Sequence, residues 1–126
     1  NARSRMGKKL RAYCFSSDGG TTWSPIAHHA GMPERSCQGS VLRVGKNAIV
    51  VAHPADTAAR RVLTVRLSRD EARTWPVSRV AEVGPAAYSD MAANRDGDVL
   101  LAYEGDNYKT IKLARFNLAW VLAGKK

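Results

Sequence analysis

Apolar and polar positions alternate with a period of two along much of this chain. Arg61–Ser68 (Arg-Val-Leu-Thr-Val-Arg-Leu-Ser) alternates almost cleanly, which predicts a strand with one buried face. Leu10–Ser16 mixes alternation with a β-rich run. Val41–Val44 and Ala48–Ala52 flank Gly45-Lys46-Asn47, the signature of a tight hairpin. Tyr88–Ala93 and Val99–Glu104 flank Asn94–Asp98, where Asp96-Gly97 marks a second hairpin turn. Thr110–Phe116 closes the set. No long stretch carries a helical period. Short strands separated by turn signals predict an all-β sandwich, barrel or propeller.

A repeat selects among these. Ser16-Ser17-Asp18-Gly19-Gly20-Thr21-Thr22-Trp23 returns as Ser68-Arg69-Asp70-Glu71-Ala72-Arg73-Thr74-Trp75, with Ser, Asp, Thr and Trp at the same offsets. The shift is 70 − 18 = 52 residues for Asp and 75 − 23 = 52 for Trp. A fixed period near 50 marks a propeller blade or a similar unit. In each copy the Asp is expected to accept backbone N–H bonds across a turn and the Trp to cap the apolar layer. Gly20 allows a left-handed backbone, so Ala72 in its place predicts a different second turn.

Composition narrows the function classes. The chain has 126 residues, 44% apolar and 25% charged, an ordinary balance for one small globular domain. Its apolar runs stop at four or five residues, far short of the roughly 20 that a spanning helix needs. Lys and Arg exceed Asp and Glu by 20 − 11 = 9, yet the cations are spread along the chain. The densest groups are Arg3/Arg5/Lys8/Lys9/Arg11 and Lys125-Lys126. No basic stripe is interleaved with aromatics in the manner that stacks bases, so nucleic acid is not an expected partner. Cys14 and Cys37 read as buried thiols rather than a disulfide scaffold. No paired Cys/His spacing suggests a metal, and no cofactor is expected. His28-His29 reads as a surface pair and His53 as a strand end. Asp56, Asp90 and Asp106 read as turn or loop residues.

The Ser-x-Asp-x-Gly-x-Thr-Trp pattern resembles the Asp-box, or BNR repeat, of sialidases and other β-propellers. Further segments strengthen that resemblance. Ser36-Cys37-Gln38-Gly39-Ser40 resembles the Cys-Gln-Gly-Ser segment of sialidases, and Arg60–Val80 their penultimate blade. Ala87-Tyr88-Ser89-Asp90-Met91, Leu100–Glu104 and Ala114–Trp120 resemble, in order, the end of a sialidase catalytic domain. The resemblance covers Asn1 to Trp120. It implies the C-terminal blades of a six-bladed β-propeller with four-stranded antiparallel blades. Residues 1–120 would form that part of the catalytic domain, and 121–126 a tail. At a period of 52 the chain makes about 2.4 blades, against the four to eight that close a propeller. Its first partner would therefore be the remaining N-terminal part of the propeller.

The resemblance also implies a chemistry: retaining hydrolysis of terminal sialic acids on glycoconjugates. Sialic acid carries a carboxylate on its anomeric carbon, and arginine forks suit that group better than lysine. Arg3 would be the second arginine of the family's triad and Arg60 the third, with Arg61 the adjacent alternative. The first would precede Asn1. A carboxylate nucleophile would be repelled by the substrate, whereas a neutral phenol is not, and sialidases use tyrosine. That residue would be Tyr88. Its activating Glu and the Asp general acid/base would also lie upstream. Glu104 would hold the first arginine in place. The Asp-box itself is structural in these families, so Asp18 and Asp70 are not catalytic candidates.

On pattern alone each of these residues also has a plain role, as strand packing, a solvated edge or a loop rim. Two other readings therefore stand beside the enzyme: a non-catalytic propeller binding glycan or protein, and a basic module for polyanions. Sialidases occupy several compartments, and a secreted or periplasmic site would be favoured for a bacterial source.

Overall fold

A computed structural model describes residues 1–3 and 7–124. Arg5 of the first basic group, and Lys125 and Lys126 of the expected tail, lie outside the described residues. The described chain is almost entirely β. Strands β1 (Leu10–Tyr13) and β2 (Ala27–Pro33) form an antiparallel pair. Ala2 bridges the other side of β1 at Ala12. The remaining strands are β3 (Ser40–Val44), β4 (Ala48–Pro54), β5 (Arg61–Ser68), β6 (Val77–Ala93), β7 (Val99–Gly105) and β8 (Thr110–Phe116). Each pairs antiparallel with its neighbour in sequence, the meander expected of propeller blades.

The long strand β6 joins two sheets. Its first half, Val77–Pro85, pairs with β5, and its second half, Ala86–Ala93, pairs with β7. One strand thus ends the β3–β4–β5 sheet and begins the β7–β8 sheet. The expected strand Tyr88–Ala93 is only the latter part of it, and Asp90 lies within the strand rather than in a loop. The segment forming β2 carries no clear alternation and was not expected from the pattern. β1 ends at Tyr13, three residues before the expected Ser16.

The core follows the alternation. Val99, Leu101 and Tyr103 of β7 point inward with Leu63, Val65 and Leu67 of β5. Burying each such side chain contributes about 1.5–3 kcal/mol. A short helix α1 (Leu118–Leu122) closes the chain, capped by Asn117, whose side chain accepts from the Trp120 N–H. Val121 is wholly buried in the core, so packing continues past Trp120. Arg79 locks the helix from outside: it donates to the Trp120 carbonyl at 2.8 Å and stacks 4.5 Å from the Trp120 ring.

Both repeat motifs fold into the same turn. Asp18 accepts from the Thr22 N–H and hydroxyl at 2.9 and 2.6 Å, and from the Ser16 hydroxyl. Asp70 does the same with Thr74, at 2.9 and 2.5 Å, and with Ser68. These bonds hold both carboxyls down to about 2. The expected difference at Ala72 does not arise. Ala72 and Glu71 take left-handed φ of 63° and 59°, where Gly20 and Gly19 have 97° and 70°. The Asp and Ser bonds hold the turn in shape and Ala72 bears the strain. The two tryptophans differ: Trp75 is half-buried and packs edge-on against His29 at 6.2 Å, whereas Trp23 departs from expectation. Trp23 is 61% exposed and its indole N–H bonds the Gly20 carbonyl within the turn, so it caps no apolar layer.

His53 is a buried strand residue. Its Nδ1 faces the Pro54 carbonyl at 3.0 Å and its Nε2 accepts from Arg66 Nε at 3.3 Å. Burial, then the Arg11 and Arg66 charges, hold its pKa at about 3. His29, read with His28 as a surface pair, is half-buried and stacks on Tyr13 at 3.9 Å, and burial lowers its pKa too.

Two outcomes follow. Ala72→Gly should stabilise the fold by about 1 kcal/mol by relieving the left-handed strain, read as a higher urea midpoint with an unchanged slope. In the unfolded chain His53 takes up a proton below about pH 6.5, while the folded chain resists until about 3. The contribution of His53 to stability should therefore be constant above pH 7 and fall as pH drops from 6.5 towards 3. Urea midpoints in His53→Gln should show a shallower fall between pH 6.5 and 4.5, with His29 supplying the remainder. The box aspartates lose their contribution as pH falls through 3.8 towards about 2, which overlaps the lower end of the His53 range and leaves the interval from 6.5 to 4.5 largely to the histidines.

Candidate active site

The site rests on a buried ion pair. Arg11 on β1 and Glu34, just beyond β2, meet at 3.1 Å with side chains 1% and 0% exposed. Burial pulls the Arg11 pKa down, and Glu34 and Cys37 offset part of that pull. Arg11 Nε donates to Asn1 Oδ1 at 2.9 Å, and Nη1 and Nη2 donate to the Cys37 carbonyl at 3.1 and 3.0 Å. Gly39 makes room for it: a Cβ there would stand 2.9 Å from Arg11 Nη1 and 2.7 Å from the Ala52 carbonyl. Arg11 thereby ties the segment bearing Arg3 to the linker between β2 and β3.

That linker reaches the candidate residues. The Ser36 carbonyl accepts from Arg60 Nη2 at 3.3 Å, and Gln38 Oε1 accepts the Ser89 N–H at 3.0 Å. Cys37 is buried and its thiol pKa is raised by that burial, while Cys14 is half-buried; both are free.

Tyr88 sits at the centre, 40% exposed. Arg3 Nη1 donates to its Oη at 2.9 Å. The Arg60 guanidinium carbon lies 5.2 Å from its ring centroid and that of Arg3 5.9 Å. Two arginines 60 − 3 = 57 positions apart thus converge on one phenol. Arg61, the alternative to Arg60, instead pairs with Asp56 at 2.6 Å.

Arg60 is also held by Tyr108, whose hydroxyl accepts from Nη1 at 3.4 Å. Burial opposes the Arg60 charge, but Cys37, Tyr108 and Tyr88 outweigh it and raise the pKa. Tyr108 is presented by three successive left-handed residues, Asp106, Asn107 and Tyr108, with φ of 49°, 55° and 69°. Each such non-glycine residue costs about 1–2 kcal/mol. Lys112 and Thr110 hold the turn through Asp106 at 3.1 and 2.9 Å.

Glu104 on β7 completes the group. Its Oε2 accepts the Tyr88 N–H at 3.2 Å. A cleft of about 290 Å³ is lined by Arg3, Arg11, Gln38 and Tyr88 among others. A second of about 370 Å³ lies beside Arg60, Glu104 and Tyr108. Among the described residues, no three His, Cys, Asp or Glu side chains gather as metal ligands would. What the arrangement offers is a paired guanidinium surface around a reachable phenol, suited to a ligand carboxylate.

All four candidates from the sequence, Arg3, Arg60, Tyr88 and Glu104, come together here. The structure adds Arg11, Ser36, Gln38 and Tyr108. Gln38 had a signal, the Cys-Gln-Gly-Ser segment, but no role attached to it. Arg11 read only as part of a basic group.

Residues 1–101 match the model of the BNR repeat-like domain. The chain belongs to the BNR repeat-like domain family. Among curated relatives of this BNR chain, a sialidase of Micromonospora viridifaciens is 31% identical over 96% of the chain. An exo-alpha-sialidase of Aspergillus fumigatus is 31% identical over 79%. The chain spans 20% and 29% of their lengths. Among solved structures, the leech intramolecular trans-sialidase matches with a TM-score of 0.79 at 23% identity. That match covers 90% of this chain and 21% of the leech protein. The NanB sialidase of Streptococcus pneumoniae matches at 0.80 and 18%, over 90% of this chain and 21% of NanB. These likenesses show the fold: antiparallel blades of a sialidase-like propeller.

Removing the Arg11 guanidinium takes away its attraction to Glu34 together with its bonds to Asn1 and the Cys37 carbonyl. Arg11→Met should therefore cost about 3–5 kcal/mol of stability, measured by chemical denaturation. A loss below about 1 kcal/mol would show that the linker does not depend on the pair.

Proposed function

We propose that this chain is the nucleophile-bearing part of a retaining exo-α-sialidase acting on terminal sialic acids of glycoconjugates. The observation that carries the reading is the convergence of Arg3 and Arg60 on Tyr88. The names of the curated relatives support it.

In this reading Arg3 and Arg60 bind the substrate carboxylate through forked bonds. That places the anomeric carbon beside Tyr88 Oη, and a phenol approaches it without the repulsion a carboxylate would meet. Oη bonds to the anomeric carbon as the bond to the aglycone oxygen breaks. The phenol proton passes to a carboxylate base and the aglycone oxygen takes one from a general acid. Water then cleaves the tyrosyl link with overall retention. The reading assigns that acid and base to parts of the propeller outside this segment. Glu104 serves as a positioning residue rather than a proton carrier.

The test uses the full protein carrying these residues and a fluorogenic sialoside. Tyr88→Phe should lower kcat on the order of 10³-fold or more, the scale expected when a nucleophile is removed. Arg60→Lys should raise KM, because an ammonium cannot reproduce the fork. Wild-type turnover in Tyr88→Phe would overturn the assignment.

A further inference from the structure

We propose that Gln38 is a positioning residue for Tyr88, acting with Glu104 to lock a β-bulge that aims the phenol into the cleft. The inference rests on the nucleophile reading above and deepens it.

The bulge is visible in the register. Ala86 faces Gly105 and Ser89 faces Tyr103, so β6 advances three residues while β7 advances two. Ala87 and Tyr88 together oppose Glu104. An extra residue of this kind breaks the ladder and re-aims the side chains beside it. The burial pattern records the change. Ala86 and Ala87 are both buried, and from there Tyr88 points out, Ser89 in, Asp90 out and Met91 in.

A bulge also orphans backbone groups. Here two side chains from different elements take two successive amides. Glu104 Oε2 accepts the Tyr88 N–H at 3.2 Å, and Gln38 Oε1 accepts the Ser89 N–H at 3.0 Å. The buried Ser89 hydroxyl makes no hydrogen bond among the described residues, so Ser89 is anchored through its backbone, by its pairing with Tyr103 and by the Gln38 contact. Gln38 in turn sits on the linker that Arg11 fastens through the neighbouring Cys37 carbonyl. The peptide carrying the phenol is therefore gripped from β7 on one side and from the linker on the other.

The chemistry of the two grips differs for a physical reason. Gln38 lines the same cleft as Arg3 and Tyr88. An amide oxygen there accepts the N–H bond without setting a second negative charge against the carboxylate of an arriving substrate. A glutamate would make the same bond and repel the ligand.

Two variants separate these effects in the full protein, each assayed on the fluorogenic sialoside beside Tyr88→Phe. Gln38→Met keeps the length and removes the acceptor. It should lower kcat by about 10- to 100-fold, the cost of misplacing a reacting group by about 1 Å, with KM within about threefold. Gln38→Glu keeps the acceptor. It should hold kcat within about threefold while raising KM, and KM should fall back as lower pH protonates the added carboxyl. A general packing role would move both variants alike and would produce no pH-dependent KM. Tyr88→Phe inactive with Gln38→Met at full kcat overturns this inference alone. A loss of kcat in Gln38→Glu equal to that in Gln38→Met does the same, and remains readable if Gln38→Met fails to fold. Tyr88→Phe at wild-type turnover removes the nucleophile reading and this inference with it.

Discussion

The arrangement around Tyr88 depends on a charge taken out of water. The Arg11 guanidinium lies in the interior beside Glu34, held to Asn1 and to the Cys37 carbonyl. A buried pair of this kind is an unreliable source of stability, since desolvation can exceed the attraction. Its directional bonds do something an apolar packing contact cannot. They hold the β2–β3 linker at one height against the amino-terminal strand. The Ser36 carbonyl and the Gln38 amide then meet Arg60 and Ser89 from a single rigid base.

Above that base, local irregularities present the candidate residues. The regular strands are consumed in packing, with β4 and β5 buried on both faces at mid-strand. Tyr88 departs from that pattern at the bulge, and Tyr108 departs from it in a left-handed turn. Each departure costs free energy and each brings a polar group to Arg60 or its neighbour. The regular meander supplies the rigidity against which those costs can be sustained.

The parts legible in the sequence were those whose interactions are local. The bounds of β5 and β8 were legible to the residue, but not their environment: Thr64 and Ser68 on the second face of β5 are buried too, and Ile111 and Leu113 of β8 are exposed. The two box turns were legible because every bond they need comes from within seven residues, so selection acts on a short string. β2 escaped because Ala-His-His-Ala-Gly has no strong period, and its place comes from pairing with β1. The four candidate residues were found through a resemblance, and pattern alone would have left each as edge or packing. Gln38 and Arg11 escaped because their meaning lies in partners 51 and 26 positions away. The strained Ala72 was misread because a glycine rule was applied to a turn whose side-chain bonds are strong enough to override it.

The long strand β6 has a consequence for how such chains can vary in length. It leaves one sheet and enters the next with no loop between Pro85 and Ala86. Unless taken up by a further bulge, like those β6 already carries opposite Leu63 and opposite Glu104, an inserted or deleted residue there would shift the register. It would turn either the Val77–Pro85 face or the Met91 face inside out, or erase the bulge at Tyr88. The hairpin at Asn94–Asp98 and the box turns have no such obligation, since their ends are already closed by antiparallel pairing. Length changes among relatives should therefore collect at the rim, while the stretch from Val77 to Ala93 behaves as a ruler that sets the distance between one blade and the phenol of the next.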